Sequence, residues 1–352
     1  MLNAKPHPGL FCARPFVFAT VDVSGNVNLC CQGWLPRSAG NLQDNTFDEI
    51  WNSAEAQEIR RSIHDGSFRY CIADCPFLVE RNYGLLTRKE DIQDPFLKRV
   101  AEQELTVLDR GPVEFLPAYD ATCNIACPSC RDRTIVYTGE QKQFAQSLHD
   151  VVMAQVGKNI QLLVLSGQGD PFASPIYRDI LRNSDQRLNP DYKLGLITNA
   201  LLFDEDFWQS MGPTRQRVLF FHVSTNAASP ETFHKIQGGG DFARFRRNLE
   251  YIGQLRKRGE VPFLRMAFYV TAQNFREMIP YIHLAREVGA DEAEFALLLY
   301  VGTYSEGRHD ELAVHDTRHP DHAEFLSILK DPIFDEPFVV LGNLRMFRST
   351  PA

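Results

Sequence analysis

Hydrophobic positions along the chain change period twice. Phe16–Asp22 and Val27–Cys30 are short strand-like runs, and Val23-Ser24-Gly25-Asn26 between them reads as a hairpin turn. From Ile50 the spacing becomes helical. Ile50, Trp51, Ala54, Ile59 and Ile63 recur on one face, Thr46-Phe47-Asp48-Glu49 forms a capping box at the start, and Gly66 supplies the stop. Residues 77–111 form a charged connector, predicted to be helical around Phe96–Gln103. From 112 onward, short apolar runs alternate with amphipathic stretches. Strands are predicted at 113–119, 161–166, 193–198, 217–224, 263–271 and 293–300, with helices near 139–155, 175–183, 204–210, 241–257 and 275–288. Such alternation implies a parallel sheet with right-handed crossovers. The expected fold class is therefore α/β: a partial (β/α)6 TIM-type barrel whose chemistry lies at the C-terminal ends of its strands. The tail from 302 is rich in charge and histidine, with one late apolar run at Phe338–Leu341. There is no internal repeat and no low-complexity tract.

Composition narrows the functional classes. A chain of 352 residues, 44% hydrophobic and 23% charged, has ample material for a large domain and a smaller one. A net charge of −8 argues against a general nucleic-acid binder, which needs clustered Lys and Arg. No apolar run approaches the roughly 20 residues that span a bilayer, and the N-terminus lacks the apolar core of a signal peptide. A cytoplasmic protein without a membrane anchor is expected. In that compartment thiols stay reduced, so clustered cysteines are better read as metal ligands than as disulfides. The eight cysteines fall in two groups, Cys12, Cys30, Cys31, Cys71 and Cys75, then Cys123, Cys127 and Cys130; none follows.

The second group follows the first predicted barrel strand as Cys123-Asn124-Ile125-Ala126-Cys127-Pro128-Ser129-Cys130. Three thiolates at this spacing can wrap one face of an iron–sulfur cube and leave its fourth iron without a protein ligand. A structural zinc site needs four ligands, and no fourth Cys or His stands nearby in the sequence.

This CxxxCxxC motif resembles the signature of the radical S-adenosylmethionine (SAM) superfamily. The resemblance implies a [4Fe–4S] cluster whose open iron chelates SAM, with a flavodoxin or ferredoxin as reductant. An electron from the cluster would release methionine and a 5′-deoxyadenosyl radical that abstracts hydrogen from the substrate. Ser166-Gly167-Gln168-Gly169-Asp170-Pro171 after the second strand is similar to the family's GGE motif. Thr198-Asn199 and Val223-Ser224-Thr225-Asn226 end the third and fourth strands at family positions near the ribose and carboxylate. The implied SAM contacts are Gly167, Gln168, Gly169, Asp170, Thr198, Asn199 and Ser224. Two positions depart from the pattern: Ser129 stands where the family has an aromatic residue, and the GGE-like motif has Gln168 and Asp170. Ser229-Pro230-Glu231-Thr232-Phe233 resembles a stretch found in members with auxiliary clusters, and reads equally as a helix start with Ser229 as N-cap.

Cys12, Gly25 and Cys30 resemble the C-x(9–15)-G-x4-C pattern that opens SPASM and twitch domains, and Gly40-Asn41-Leu42, Trp51, Arg60, Cys71 and Cys75 also look like such a domain. The resemblance implies that Cys12, Cys30, Cys71 and Cys75 hold one auxiliary [4Fe–4S] cluster. The expected organisation is a small α+β SPASM/twitch-like domain over 1–76, a connector over 77–111, a radical SAM partial barrel over 112–301 and an extension over 302–352. In the family the cysteine module usually follows the barrel, whereas here it precedes it. Cys31 is left over, either as a structural neighbour or alternate ligand of Cys30, or as a thiol that returns hydrogen to a substrate radical.

Other motifs weigh less. His309, His315, His319 and His322 read as a solvated segment rather than a second metal site. Gly238-Gly239-Gly240 lacks the Lys-Ser/Thr of a phosphate loop and reads as a turn. Arg131 and Arg133 either face the cluster or substrate, or lie on the surface. His222 either points into the barrel or packs. The cysteine module starts too early to leave room for a leader-binding domain before it, which tilts the expectation from a peptide to a small-molecule or carbohydrate substrate. The expected reaction is oxidation or epimerisation at an unactivated C–H bond. A peptide-modifying enzyme and a two-cluster electron-transfer protein are the alternatives.

Overall fold

The computed structural model describes residues 4–80, 86–298 and 306–348. The chain forms two compact units. The first comprises Met1–Asp120, Tyr137–Gln168 and Asp185–Lys193, and the second Ala121–Val136, Gly169–Ser184 and Leu194–Ala352.

The strands of the first unit are β1 (Leu10–Cys12), β2 (Phe18–Val21), β3 (Asn26–Asn28), β4 (Gly40–Asn41), β5 (Leu86–Arg88), β6 (Glu114–Pro117) and β7 (Leu162–Leu165). The hairpin read from the sequence is present. β2 and β3 are antiparallel with Val21 opposite Val27, and Asp22 turns the corner by accepting the backbone N–H groups of Ser24 and Asn26. On its other edge β2 runs parallel to β6, Phe18 opposite Glu114, and β6 runs parallel to β7. The cysteine-bearing N-terminal segment thus shares one sheet with the first two strands of the predicted barrel.

Two local readings change. The predicted strand from Phe16 begins as a helical turn, Arg14–Val17, because Pro15 presets a helical φ in its first turn. The single predicted helix after Thr46 is two, Phe47–Trp51 and Ala54–His64. The capping box of Thr46 and Glu49 is present, and Ser53 caps the second helix. The break has a long-range cause. The Asn52 carboxamide is taken up by Leu108, accepting its N–H at 2.8 Å and donating to its carbonyl at 3.0 Å. Nearby, Trp51 Nε1 donates to the Arg110 carbonyl, and the fully buried Arg60 donates to the carbonyls of Pro15 and Thr106. With its charge desolvated and no carboxylate partner, Arg60 is pulled down to about 9 by burial. These bonds pin the segment before β6, so the connector is anchored where it reaches the sheet. It also contains the helix Pro95–Glu102, as expected, and β5, which pairs antiparallel with β1.

In the second unit β8 (Lys193–Thr198, beginning at the boundary), β9 (Val218–Ser224), β10 (Phe263–Val270), β11 (Glu292–Leu297) and β12 (Val339–Val340) lie in sequence order as parallel neighbours. The helices Pro175–Asn183, Glu205–Ser210, Phe242–Lys257 and Met278–Glu287 fall where the sequence places them. All six predicted strands have counterparts; residues 299–300 of the last lie outside the described residues. The late apolar run adds β12. The fold is α/β with a parallel sheet, and among the described residues neither unit's strands close on themselves. Strand period two separates two faces. Phe221, Val223, Leu264, Met266, Ala293 and Phe295 are fully buried, and the alternate positions His222, Ser224, Arg265, Glu292 and Glu294 share the other face.

Candidate functional site

The chain leaves β6 and enters a loop without regular structure that carries Cys123, Cys127 and Cys130. Cys123 N–H donates to the Ile135 carbonyl at 2.9 Å and closes the loop on itself. Cys130 and Arg131 N–H both donate to the Cys127 carbonyl, a tight turn around Pro128 that brings the last two cysteines together. Exposure rises along the motif, from buried Cys123 through half-buried Cys127 to exposed Cys130.

Each sulfur meets a nitrogen-bearing side chain of the same unit. Asn199 Nδ2 lies 3.8 Å from Cys123 Sγ, and Arg131 donates to Cys130 Sγ at 3.5 Å and to the Ala121 carbonyl at 2.8 Å. Cys127 Sγ donates at 3.2 Å to the amide of Gln237, which in turn donates to the Thr225 carbonyl. Burial pushes the Cys127 thiol up to about 12, with Cys130 and Cys123 adding to the rise. The three sulfurs therefore feel one another. Burial raises Cys123 as well, so at Cys123 and Cys127 a thiolate calls for a cation beside it.

Asp170 is the hub beneath this loop. It is fully buried, and burial raises its carboxyl against the donors that pull it down. One carboxylate oxygen accepts Thr198 Oγ1 at 2.7 Å and Asn199 N–H at 3.0 Å; the other accepts Phe172 N–H at 2.9 Å. Its own N–H donates to the Thr122 carbonyl. It thus ties the segment after β7 to the end of β8 and to the cysteine loop. The backbone is strained at the ends of three successive strands: Ser166, Ala200 and Asn226 have φ of 86°, 62° and 59°. A non-glycine residue there costs about 1–3 kcal/mol, and such strain clusters at functional sites. Gly167 has no room for a side chain, since a Cβ would stand 2.4 Å from Leu116 and 2.6 Å from Ala118. Ser224 lies at the last position of β9, opposite Ala267. Of the glycine run, Gly238 presses on the cysteine loop: a Cβ there would lie 2.0 Å from the Ala126 carbonyl oxygen. The run is a turn, as read, and it buttresses the motif. Ser229 caps the helix Pro230–Ile236.

The other group is equally well gathered. In the first unit Cys12, Cys30, Cys71 and Cys75 line a single small cavity, together with Arg14, Trp34, Phe68 and Phe77. Burial raises all four thiols, Cys75 to about 12, and the sulfurs raise one another. Arg14 Nε is buried in this region with no hydrogen-bond acceptor, an omission that ordinarily costs about 1–3 kcal/mol. Four thiols, an apolar wall and a donor awaiting an acceptor fit a four-cysteine iron–sulfur cluster. Cys31 does not line the cavity, and it is exposed. Among the described residues no three His, Cys, Asp or Glu groups stand close enough to chelate one metal ion.

Gln237 was missed in the sequence; adjacency to the glycine run was its only signal. Arg131 faces the cluster loop and Arg133 is exposed. The histidine tail is not the solvated segment expected. The His315 ring packs near His309 and Phe347, and burial lowers it to about 4. No helix among the described residues is long and apolar enough to cross a membrane.

Residues 12–76 match the SPASM family model, an iron–sulfur cluster-binding domain. No curated protein matches the chain. Among solved structures, the chain is similar to Streptococcus suis SuiB bound to S-adenosylmethionine, at 13% identity and a TM-score of 0.45, covering 70% of this chain and 52% of that one. It is also similar to anSMEcpe with bound AdoMet and the Cp18Cys peptide, at 17% identity and a TM-score of 0.44, covering 63% and 59%. A third is the radical SAM methyltransferase TsrM from Kitasatospora setae with cobalamin and a [4Fe–4S] cluster bound, at 15% and 0.35, covering 50% and 32%. The chain spans about half the length of SuiB.

Proposed function

We propose that this chain is a radical SAM enzyme with one auxiliary cluster, acting on an unactivated C–H bond of a small polar molecule or carbohydrate. The observation that carries the reading is the Cys123–Cys130 loop, three thiols on one loop, each sulfur within reach of Asn199, Gln237 or Arg131. A cluster held by these three cysteines would, together with SAM, supply the electron and the 5′-deoxyadenosyl radical needed to abstract hydrogen.

The protein's part is to hold and orient. Cys123, Cys127 and Cys130 would bind the cluster, and Arg131 offsets its negative charge at Cys130. Gly167, Gln168, Gly169, Asp170, Thr198, Asn199 and Ser224 are assigned to SAM. The absence of side-chain room at Gly167 lets the segment after β7 pack directly on Leu116 and Ala118, which fixes where the following residues lie. Asp170 holds Thr198 and Asn199 in place through its carboxylate. The face of β9–β11 that bears His222, Arg265, Glu292 and Glu294 is a hydrogen-bonding wall, with Arg265 paired to Glu292 at 2.6 Å and to Glu294 at 3.4 Å. Arg265 and Glu292 stand towards the N-terminal ends of their strands and answer each other's charge, whereas His222 and Ser224 lie nearer the C-terminal end of β9, where the chemistry is expected. Cys12, Cys30, Cys71 and Cys75 would hold the auxiliary cluster.

Two endings are open to the substrate radical: it would lose an electron to the auxiliary cluster and a proton to solvent, or gain a hydrogen atom from a thiol, whose thiyl radical the external reductant and a solvent proton would then restore. The exposure of Cys31, outside the cavity of the other four, favours it as that thiol. Anaerobic reconstitution with SAM and a flavodoxin or ferredoxin reductant should give 5′-deoxyadenosine and about eight irons per chain. No 5′-deoxyadenosine would leave only a two-cluster electron-transfer protein. With a turned-over substrate, solvent deuterium in the product marks epimerisation, and its loss in Cys31→Ala identifies the donor. A genetically linked precursor peptide that is turned over would replace the small-molecule assignment with a peptide.

A further inference from the structure

The four-cysteine cavity contains one charged side chain, and it is not an exposed one. Arg14 comes from the helical turn directly after Cys12, and its side chain is 12% exposed. Its guanidinium lies over the Phe18 ring, 3.6 Å from the centroid. One terminal nitrogen, NH1, donates to Glu114 Oε1 at 2.7 Å, a residue 100 positions away at the start of β6. Nε remains, buried and without an acceptor. The guanidinium, charged at any working pH, lines the same cavity as Cys12 and Cys30.

A buried Nε without an acceptor recurs at other arginines, Arg110 and Arg178 among them, but only Arg14 lines the four-cysteine cavity. An iron–sulfur cluster ligated by thiolates brings acceptors and net negative charge, and one more negative charge on reduction. A fixed cation and an N–H donor at its sulfurs favour the reduced form, and a carboxylate opposes it.

We propose that Arg14 and Glu114 together set the reduction potential of the auxiliary cluster. Arg14 acts through its unpaired Nε–H and its charge, and Glu114 by cancelling part of that charge. The proposal rests on the reading that Cys12, Cys30, Cys71 and Cys75 hold a cluster, and that reading is tested first. The full chain with Cys123, Cys127 and Cys130 all changed to Ala should retain about four irons. A protein without iron would overturn the auxiliary cluster, and this proposal with it. In that background the midpoint potential is read by redox titration with electron paramagnetic resonance. Arg14→Gln should shift the reduction equilibrium toward the oxidised form about tenfold, about 59 mV for a one-electron couple. Arg14→Lys should recover part of the shift, and Glu114→Gln should move it the other way. An iron-loaded Arg14→Gln protein with an unchanged potential overturns the proposal. Where Arg14→Gln does not hold iron, Glu114→Gln decides: a rise in potential supports the pair, and no change or a fall overturns it.

Discussion

Changing Gly238 to Ala tests whether the glycine turn after the helix Pro230–Ile236 buttresses the cysteine loop. Gly238 has φ of 50°, and an added Cβ would stand 2.0 Å from the Ala126 oxygen, 2.4 Å from its carbonyl carbon and 3.0 Å from its nitrogen. These are backbone atoms of the residue before Cys127, so no side chain can swing aside. The left-handed backbone costs an alanine about 1–2 kcal/mol. Forcing the two loops apart adds roughly 1–3 kcal/mol, the usual range for overpacking. Gly239→Ala is the control. It has φ of 98° and open space around its Cβ, so it carries the backbone cost alone. The assay is iron content and the cluster spectrum after anaerobic reconstitution, with and without SAM. Gly238→Ala should retain only the auxiliary cluster, about four irons of eight, while Gly239→Ala keeps both. Two variants with the same iron content and the same SAM-dependent spectrum would refute the steric link between Gly238 and the loop.

Arg131→Gln removes the cation that reaches Cys130 and weakens the tie to the Ala121 carbonyl. Its rate of 5′-deoxyadenosine formation should fall about tenfold or more, the worth of one charge-assisted hydrogen bond, and a rate equal to wild type argues against the contact. Asp170→Asn puts an NH2 in place of one carboxylate oxygen and leaves Asn199 N–H unmet or, with the amide turned over, Phe172 N–H, at about 1–3 kcal/mol. Weakened SAM binding in equilibrium dialysis is expected, and unaltered affinity would remove Asp170 from the site. His149 is buried, with Tyr119 Oη 2.8 Å from Nδ1 and Asp185 3.4 Å from Nε2. Burial, then Arg187, lowers it from the ordinary 6.5. A depressed value means that the unfolded chain binds the proton first, so the contribution is whole above 6.5 and is lost as pH falls through the folded value. Thermal melting of the wild type should decline below about pH 6.5 more steeply than that of His149→Gln, and parallel curves would contradict this.

Much of the fold was legible because it is written locally. Each of the six strands and the helices between them left a two- or 3.6-residue period, and Thr46-x-x-Glu49 announced its capping box. The break at Asn52 was not legible. Its cause is Leu108, 56 residues on, and nothing near Asn52 records that. The same holds for the start of β2, where Pro15 was visible but the pairing with β6 was not.

For the site, the division follows the same physics. The spacing of Cys123, Cys127 and Cys130 by itself determined which thiols can share a cluster, because three and two intervening residues bound how far apart the sulfurs can stand. Four early cysteines over 64 positions carry no such bound. Only the tertiary structure decided that Cys12, Cys30, Cys71 and Cys75 meet in one cavity while Cys31, next to Cys30, stays outside it. It alone brought Gln237 to Cys127 across 110 residues, and Glu114 to Arg14 across 100. Chain connectivity limits distance only between near neighbours; beyond that, the partners of a charge or a sulfur are chosen by packing.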